Sequence, residues 1–431
     1  MVVKNISVQN QVFWYLDNHA IFPSLTQNIK TDVVVVGGGM AGLTAAQSFA
    51  QKGLSVVLLE QYYCGAGATG KSSGFITQDS ELGLRYFLDT QGPEKAKKLW
   101  DFVSGGVEII RNNITDFSLE CDYTQEDVLV VAAQKRDFLE IQKEHEARVQ
   151  LGYPSKLYKE QELTDVIGSP NYCGGVRYAG TFGIKAYAYC QALKKNLHTL
   201  GVQIYEETPV TAVHKDGVQT IFGFVQARFI IMCTDRFLPD LGLLQDKVYH
   251  AQTFLMMSAP LLPEEIHEIF PEKKLMVWDT ELIYNYYRLT GDNRLMLGGG
   301  SVWSTYDRHE KYYAPYMFKK LSNYYQKKFP QLTINFEYMW PGFIGISRDI
   351  MPIAGADKKN KNIYYISAAT GLPWAAALGR YCAEHIVDGK KDFDHYFSPY
   401  RKLPLGTLLP HILGTQATFA LSNFSSLYLK S

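Results

Sequence analysis

The sequence predicts an α/β fold: a domain built on a parallel sheet, interrupted by a second domain built on a mixed sheet. Three observations carry the prediction. A strand, a glycine-rich turn, a helix and a second strand follow one another between residues 31 and 60. Tyrosine-rich, strand-like alternation occupies about 245 to 335, and the 431-residue length allows two or three domains, or one large α/β unit, at ~150 residues each. With 46% hydrophobic and 20% charged residues, the composition is that of a chain with a buried core.

The first element, Thr31-Asp32-Val33-Val34-Val35-Val36, is a short β-branched run that stops at glycines, as a buried parallel strand does. Gly37, Gly39 and Gly42 set a G-x-G-x-x-G spacing; Met40 and Ala41 open a helix that runs to Gln51, and Ser55 to Leu59 forms a second strand. Glu60 follows, 18 positions after the last glycine, with Gln61 beside it. This is a Rossmann-like dinucleotide unit. Gly37 permits the tight turn, Gly39 lets a pyrophosphate approach the backbone, and Gly42 lets helix and strand pack closely. The helix N-terminus receives the phosphates, and Glu60 accepts hydrogen bonds from ribose hydroxyls.

The remaining composition narrows the chemistry. Forty-three basic and forty-three acidic residues cancel, so no basic field favours nucleic acid. Six cysteines without a CxxC pair suggest reduced, mostly buried thiols rather than zinc ligands or disulfides. His250, His309, His385 and His411 are not spaced as ligands, so no metal site is expected, and no Gly-x-Ser-x-Gly elbow offers a serine nucleophile. No continuous apolar stretch precedes Asp17, and no ~18-residue apolar run occurs, so neither a cleaved leader nor a membrane span is expected. A cytoplasmic enzyme, free or peripherally membrane-bound, is the resulting expectation.

After Glu60 the chain reads Gly65-Ala66-Gly67-Ala68-Thr69-Gly70-Lys71-Ser72-Ser73-Gly74, small residues able to lie flat under an extended cofactor. A G-x-G-x-x-G motif near the N-terminus followed by this segment resembles the D-amino-acid-oxidase superfamily of FAD-dependent oxidoreductases. Later segments agree in order over about residues 10 to 395. Gly201 to Val210 resembles the strand whose valine meets the adenine through its backbone. Ala227 to Thr234 resembles the strand leading to a cofactor turn, although Cys233-Thr234-Asp235 departs from the family's usual glycine or asparagine. Trp340-Pro341-Gly342 to Asp349, Met351 to Gly355, and the strand Asn362 to Ser367 complete the pattern. Ala368-Ala369-Thr370-Gly371-Leu372-Pro373-Trp374 then leads into a helix to Val387. The block Tyr286 to Gly300 and the start at Trp340 bring the chain nearest the gamma-glutamylputrescine-oxidase-like and glycine-oxidase-like groups.

The resemblance implies a Rossmann-like FAD-binding domain of the GR2 type with an inserted mixed-sheet substrate domain. Residues 31–94, 166–244 and 340–395 form the discontinuous FAD-binding domain and 95–165 and 245–339 the substrate or cap domain, with an N-terminal arm at 1–30 and an apolar tail at 396–431. FAD contacts are expected from Gly37, Gly39, Met40, Ala41, Gly42, Glu60 and Gln61 of the first unit. The loop adds Ala68, Thr69, Ser72, Ser73 and Gly74. Val210, Thr234, Gly371, Leu372, Pro373 and Trp374 add the rest. The position of the family's flavin-linked cysteine is Gly342 here, so non-covalent FAD is expected.

In the cap, Trp100 to Ile114 and Lys135 to Leu151 carry helical spacing, and Thr253 to Met257 and Leu282 to Tyr287 read as neighbouring strands roofing the flavin. Tyr284 and Tyr286 share one strand face and, with Trp340 and Ile344, are the candidate substrate-lining residues. Tyr286, Arg288 and Lys71 are the candidate catalytic residues. Ile344 stands where carboxylate-binding relatives carry arginine, so the expected substrate is a small amine without an α-carboxylate, oxidised to an imine by hydride transfer to flavin N5, with O2 or another acceptor reoxidising the flavin. Two alternatives stand beside this reading: a D-amino-acid or glycine oxidase or dehydrogenase whose substrate carboxylate meets Arg288 or Lys71, and a weakly catalytic flavoprotein acting as an assembly factor. A nicotinamide-dependent dehydrogenase would want a second dinucleotide motif, which is absent. Residues 403–429 lack Asp, Glu, Lys and Arg and are expected to dock on the protein's own surface, a second subunit or a membrane surface.

Overall fold

The computed structural model describes residues 8–17, 20–79, 81–281, 283–300, 310 and 314–401. The apolar tail at 403–429 lies outside them.

Four consecutive valines, Val33 to Val36, demand burial on both faces of a strand. They receive it in the middle of a parallel sheet. Its strands run in the order Gln203–Tyr205, Val56–Leu59, Ile29–Val36, Phe224–Met232 and Ile363–Ser367, all parallel. Ile353–Ala356 pairs antiparallel outside the last of these, and the hairpin Val210–His214 with Gly217–Thr220 pairs with the first half of Phe224–Met232. Alternation divides the valines. Val33 and Val35 face a cluster built from the helices Met40–Gln51, Pro93–Asp116, Ala186–Thr199 and Leu372–Asp388, whereas Val34 and Val36 face the hairpin side with Val218 and Leu238.

The second sheet has eight strands, in the order Phe336–Ile346, Tyr249–Pro260, Arg294–Gly299, Tyr286–Leu289, Leu275–Asp279, Asp127–Val131, Gly174–Tyr178 and Lys156–Lys159. Only the pair Leu275–Asp279 with Asp127–Val131 is parallel, so the sheet is mixed as expected. One face buries Leu129, Phe254, Met256 and Leu297. The other buries Leu255, Met257, Tyr286, Met296 and Trp340 against Val12, Trp14 and Phe75. That second face looks toward the N-terminal arm and the segment after the glycine turn.

Three expectations change. Thr253 to Met257 and the tyrosine strand are not neighbours, because Arg294–Gly299 lies between them and pairs with both. The helix Pro93–Asp116, assigned to the cap at 95–165, instead packs Leu99, Trp100, Val103 and Val107 into the core of the parallel sheet. Its charged face suggested a solvated insert, but its apolar stripe fits the flank of Leu372–Asp388. Conversely, Gly174–Tyr178, within the expected 166–244 cofactor segment, is a strand of the mixed sheet. Among the described residues, no helix is long and apolar enough to cross a membrane.

Candidate active site

A cavity of about 930 Å³ opens where the ends of the parallel strands, at Val36, Leu59, Cys233 and Ser367, meet the apolar face of the mixed sheet. The glycine turn forms one wall. Gly37 has φ +109°, and a Cβ there would lie 2.5 Å from the Cys233 carbonyl oxygen; at Gly42 a Cβ would lie 1.9 Å from the Gly37 oxygen. Gly42 therefore sets the helix against the strand and does not itself line the cavity. Gly39, Met40 and Ala41 do, at the N-terminus of Met40–Gln51. The loop caps this helix: Met40 N–H donates to Thr69 Oγ1 at 3.1 Å.

Glu60 and Gln61 line the same wall. Glu60 accepts from Gly38 N–H at 2.7 Å and from Tyr62 N–H at 3.0 Å; burial raises its pKa, and these N–H groups oppose the rise. Ala68, Thr69, Ser72, Ser73 and Gly74 form the floor, with Val210 and Thr234 at the sides. A second helix, Leu372–Asp388, begins at the opposite wall, where Gly371, Leu372 and Pro373 face the cavity. Two helix N-termini thus open on one cavity from opposite walls, and their dipoles suit a ligand with separated anionic groups. Thr234 Oγ1 is buried there without a hydrogen-bond partner. These features fit a dinucleotide: a phosphate cradle that a Cβ would fill, a half-buried acid for ribose, and an unsatisfied polar atom.

Two contributors were not visible in the motifs. The N-terminal arm clamps the floor loop, with Trp14 Nε1 donating to Ser72 O at 3.1 Å and the Tyr15 hydroxyl to Ala66 O at 2.9 Å. Asp235, at the turn that departs from the family pattern, has φ +48° and accepts from Gly345 N–H at 2.6 Å and Ala368 N–H at 2.9 Å. It ties the roof strand to the turn before Leu372–Asp388. The departure itself was the available signal.

Beyond the floor loop, the cavity is lined by Phe75, Trp278, Tyr284, Tyr286, Trp340 and Ile344. Phe75 stacks on Trp278 at 5.7 Å and meets Tyr286 edge-on at 5.9 Å; Tyr284 lies 5.7 Å from Tyr286. Gly298, opposite Tyr286 in the ladder, makes room for its ring, since a Cβ there would lie 2.2 Å from it. Trp340 Nε1 donates to Lys71 O at 3.0 Å. Two acids also line this end, Asp79 and Glu81. Asp79 accepts from Thr77 at 2.7 Å, from Arg148 at 3.3 Å and from the Tyr178 hydroxyl, whereas Glu81 accepts from the Tyr284 hydroxyl at 2.9 Å. No sequence pattern marked these acids, because their wall is assembled from three distant segments.

The expected catalytic set does not assemble as a unit. Tyr286 and Lys71 line the cavity, and Lys71 Nζ pairs with Glu310 at 2.7 Å. Arg288 does not reach it. Its guanidinium lies beneath the floor, fully buried, donating to Ser73 O at 2.8 Å, Ile184 O at 2.7 Å and Leu289 O at 2.9 Å. Arg288 shares a strand face with Tyr286 but sits two residues further along, which carries it under the loop. Trp374 also leaves the cofactor set: it is buried among Phe87, Phe102 and Phe397, since the helix turns it away from its own N-terminal opening. Among the described residues, no group of three or more His, Cys, Asp or Glu could hold a metal.

A parallel sheet with a glycine turn, two helix N-termini and a roofed cavity define a protein built to hold a dinucleotide cofactor. The family model for FAD-dependent oxidoreductases (DAO) matches residues 32–385, and the chain belongs to that family. FAD is its cofactor. The chain is 30% identical over 381 residues to a probable oxidoreductase OrdL of Haemophilus influenzae, covering 85% of each chain. It is 28% identical over 411 residues to the gamma-glutamylputrescine oxidoreductase of Escherichia coli, covering 91% of this chain and 92% of that one. Its fold is similar to glycine oxidase from Geobacillus kaustophilus, with a TM-score of 0.74 at 16% identity over 87% of this chain and all (100%) of that one.

Proposed function

We propose that this protein oxidises an amine lacking an α-carboxylate to an imine, which water then hydrolyses to a carbonyl compound and ammonia or a smaller amine. The observation that carries this reading is the cavity wall made by Phe75, Trp278, Tyr284 and Tyr286 beside Glu81, a surface that favours a cation. Arg288, the candidate partner for a carboxylate, gives its donors to backbone carbonyls. FAD supplies the two-electron oxidation when bound. The residues of this chain contribute position: Gly37 and Gly39 hold the cofactor's phosphates at the helix, and Tyr284, Tyr286 and Trp340 orient the substrate and exclude water from the reacting carbon.

A second reading, an α-amino-acid substrate, draws on Lys71 and Arg236, which both face Glu310 in the cavity at 2.7 and 3.9 Å. A substrate carboxylate held there would replace an existing ion pair. Anaerobic mixing separates the two readings by the rate at which flavin colour bleaches. The expected result is kcat/KM about a hundredfold higher, near 2.7 kcal/mol, for simple amines or mono-acylated diamines than for glycine, sarcosine or D-alanine. A preference for an unmodified amino acid would overturn the leading reading. No bleaching by any compound would favour an assembly role.

A further inference from the structure

An amine enters a cavity from neutral water mostly as its ammonium, which has no lone pair with which to form a C=N bond. The site therefore wants an acceptor for one proton. Six carboxylates line the cavity; Glu60, Asp235 and Asp240 stand with the glycine turn and the Cys233 turn, which leaves Asp79, Glu81 and Glu310. Glu310 is paired with Lys71 at 2.7 Å, and Asp79 is held by Arg148, Thr77 and Tyr178. Glu81 differs: it accepts from the Tyr284 hydroxyl at 2.9 Å, and no Lys, Arg or His among the described residues forms an ion pair with it.

Resting on the amine reading above, we propose that Glu81 is a catalytic residue that takes the proton from the substrate ammonium, with Tyr284 holding its carboxylate in place. The step is R–CH2–NH3⁺ plus Glu81 carboxylate giving R–CH2–NH2 plus Glu81 carboxylic acid; one N–H bond breaks, one O–H bond forms, and no electrons change owner. The freed lone pair then forms C=N as the α-hydrogen departs with its bonding pair, the two electrons being taken by the family's FAD. Desolvation of its carboxyl raises the Glu81 pKa above its ordinary value, and the Tyr284 hydrogen bond opposes the rise. The charged and titratable groups around it are Asp79 with its Arg148 partner, Tyr284 and Tyr286 on the roof, and Glu144, which accepts from Leu84 N–H at 3.2 Å and Arg85 N–H at 2.8 Å. Among these described groups, Glu81 is the carboxylate that combines the aromatic wall with no cationic partner.

The test is kcat/KM for anaerobic flavin reduction in the holoenzyme from about pH 5 to about pH 11, with butylamine, 1,4-diaminobutane, N-acetyl-1,4-diaminobutane and D-alanine as probes. The wild type should give a bell, its lower limb set by Glu81 and its upper limb by the probe's ammonium. Glu81→Gln should accept only the free amine: kcat/KM falls about 10²–10³-fold near neutrality and recovers about tenfold per pH unit, so that the probe's ammonium, not residue 81, sets the lower limb. Glu81→Asp should keep the bell, and Tyr284→Phe should move the lower limb to higher pH, because a bond that lowers the Glu81 pKa is gone. A bell unchanged in Glu81→Gln, or a lower limb unmoved in Tyr284→Phe at full flavin content, overturns the proposal. If D-alanine is the best probe yet Glu81→Gln still shifts the lower limb to the probe's ammonium, the amine reading fails and the role of Glu81 stands. If no probe reduces the flavin, both fall.

Discussion

Arg288 shows how a single side chain changes meaning once its surroundings are known. In sequence it is a cation on a tyrosine-bearing strand, a natural carboxylate ligand; in the structure its donors hold Ser73 O, Ile184 O and Leu289 O under the cofactor floor. Arg288→Met should therefore leave these carbonyls unpaired, cost about 3 kcal/mol or more in urea titrations, and lower flavin occupancy. It should leave the ratio of amine to amino-acid kcat/KM unchanged, whereas a carboxylate-binding arginine would change that ratio. Glu126, nearby, is pushed up to about 7 from 4.5 by burial, against the pull of Arg288 and Lys274. Because the folded state holds this proton more tightly than the unfolded chain, Glu126 lowers stability as pH rises from about 4.5 to about 7. Glu126→Gln should flatten that slope, gaining about 3 kcal/mol relative to wild type at neutral pH, as read from paired denaturation curves.

Elements are held together here by a few polar joints. Lys194 and Glu206 form an ion pair at 3.0 Å with side chains 1% and 0% exposed, and Glu206 also accepts from Phe22 N–H at 2.6 Å and Cys64 N–H at 2.7 Å. One buried carboxylate thus joins the N-terminal arm to the segment leading into the floor loop. At the other end, Arg401 donates to both oxygens of Asp349 at 2.5 and 2.8 Å, fastening the chain after Asp394–Phe397 to the turn before Ile353–Ala356. Burial alone would raise the Asp349 pKa, but the Arg401 hydrogen bonds and charge outweigh it and lower it below 3.8. The joint therefore stabilises above about pH 3.8 and is lost as pH falls through the lowered value. Asp349→Asn should cost stability at pH 7, with the difference from wild type shrinking on strong acidification. A difference independent of pH would show that packing, not charge, holds this end.

For the whole molecule, the cofactor is part of the architecture, since the cavity separates the two sheets and its walls come from both. Added FAD should raise the melting temperature of cofactor-depleted protein in a concentration-dependent way. Gly342, where a Cβ would meet Thr253 Oγ1 at an ordinary 3.5 Å, offers no side chain for attachment, so acid precipitation should release the yellow colour into the supernatant. Colour retained in the pellet would reveal a covalent link. Gly39→Val should abolish FAD binding while leaving the parallel sheet folded, because a Cβ there faces the cavity near Thr69 Oγ1 at 3.1 Å rather than the helix–strand packing.

The sequence by itself determined what depends on neighbours in the chain. The valine strand, the glycine turn, the helix start and Glu60 lie within thirty residues, so their geometry is local and the cofactor half of the site was legible. The two-residue period of a strand puts Tyr284 and Tyr286 on one face, and their rings lie 5.7 Å apart. Tertiary structure alone decided the rest. Whether Arg288 points into a cavity or under its floor depends on where the Gly65 to Gly74 loop crosses it, and the acidic wall of Asp79 and Glu81 exists only because the roof brings Trp278 and Tyr284 over them. Charge and burial at such a site are sums over segments two hundred residues apart, as the Glu81–Tyr284 bond is, and no periodicity in the chain encodes where those segments cross.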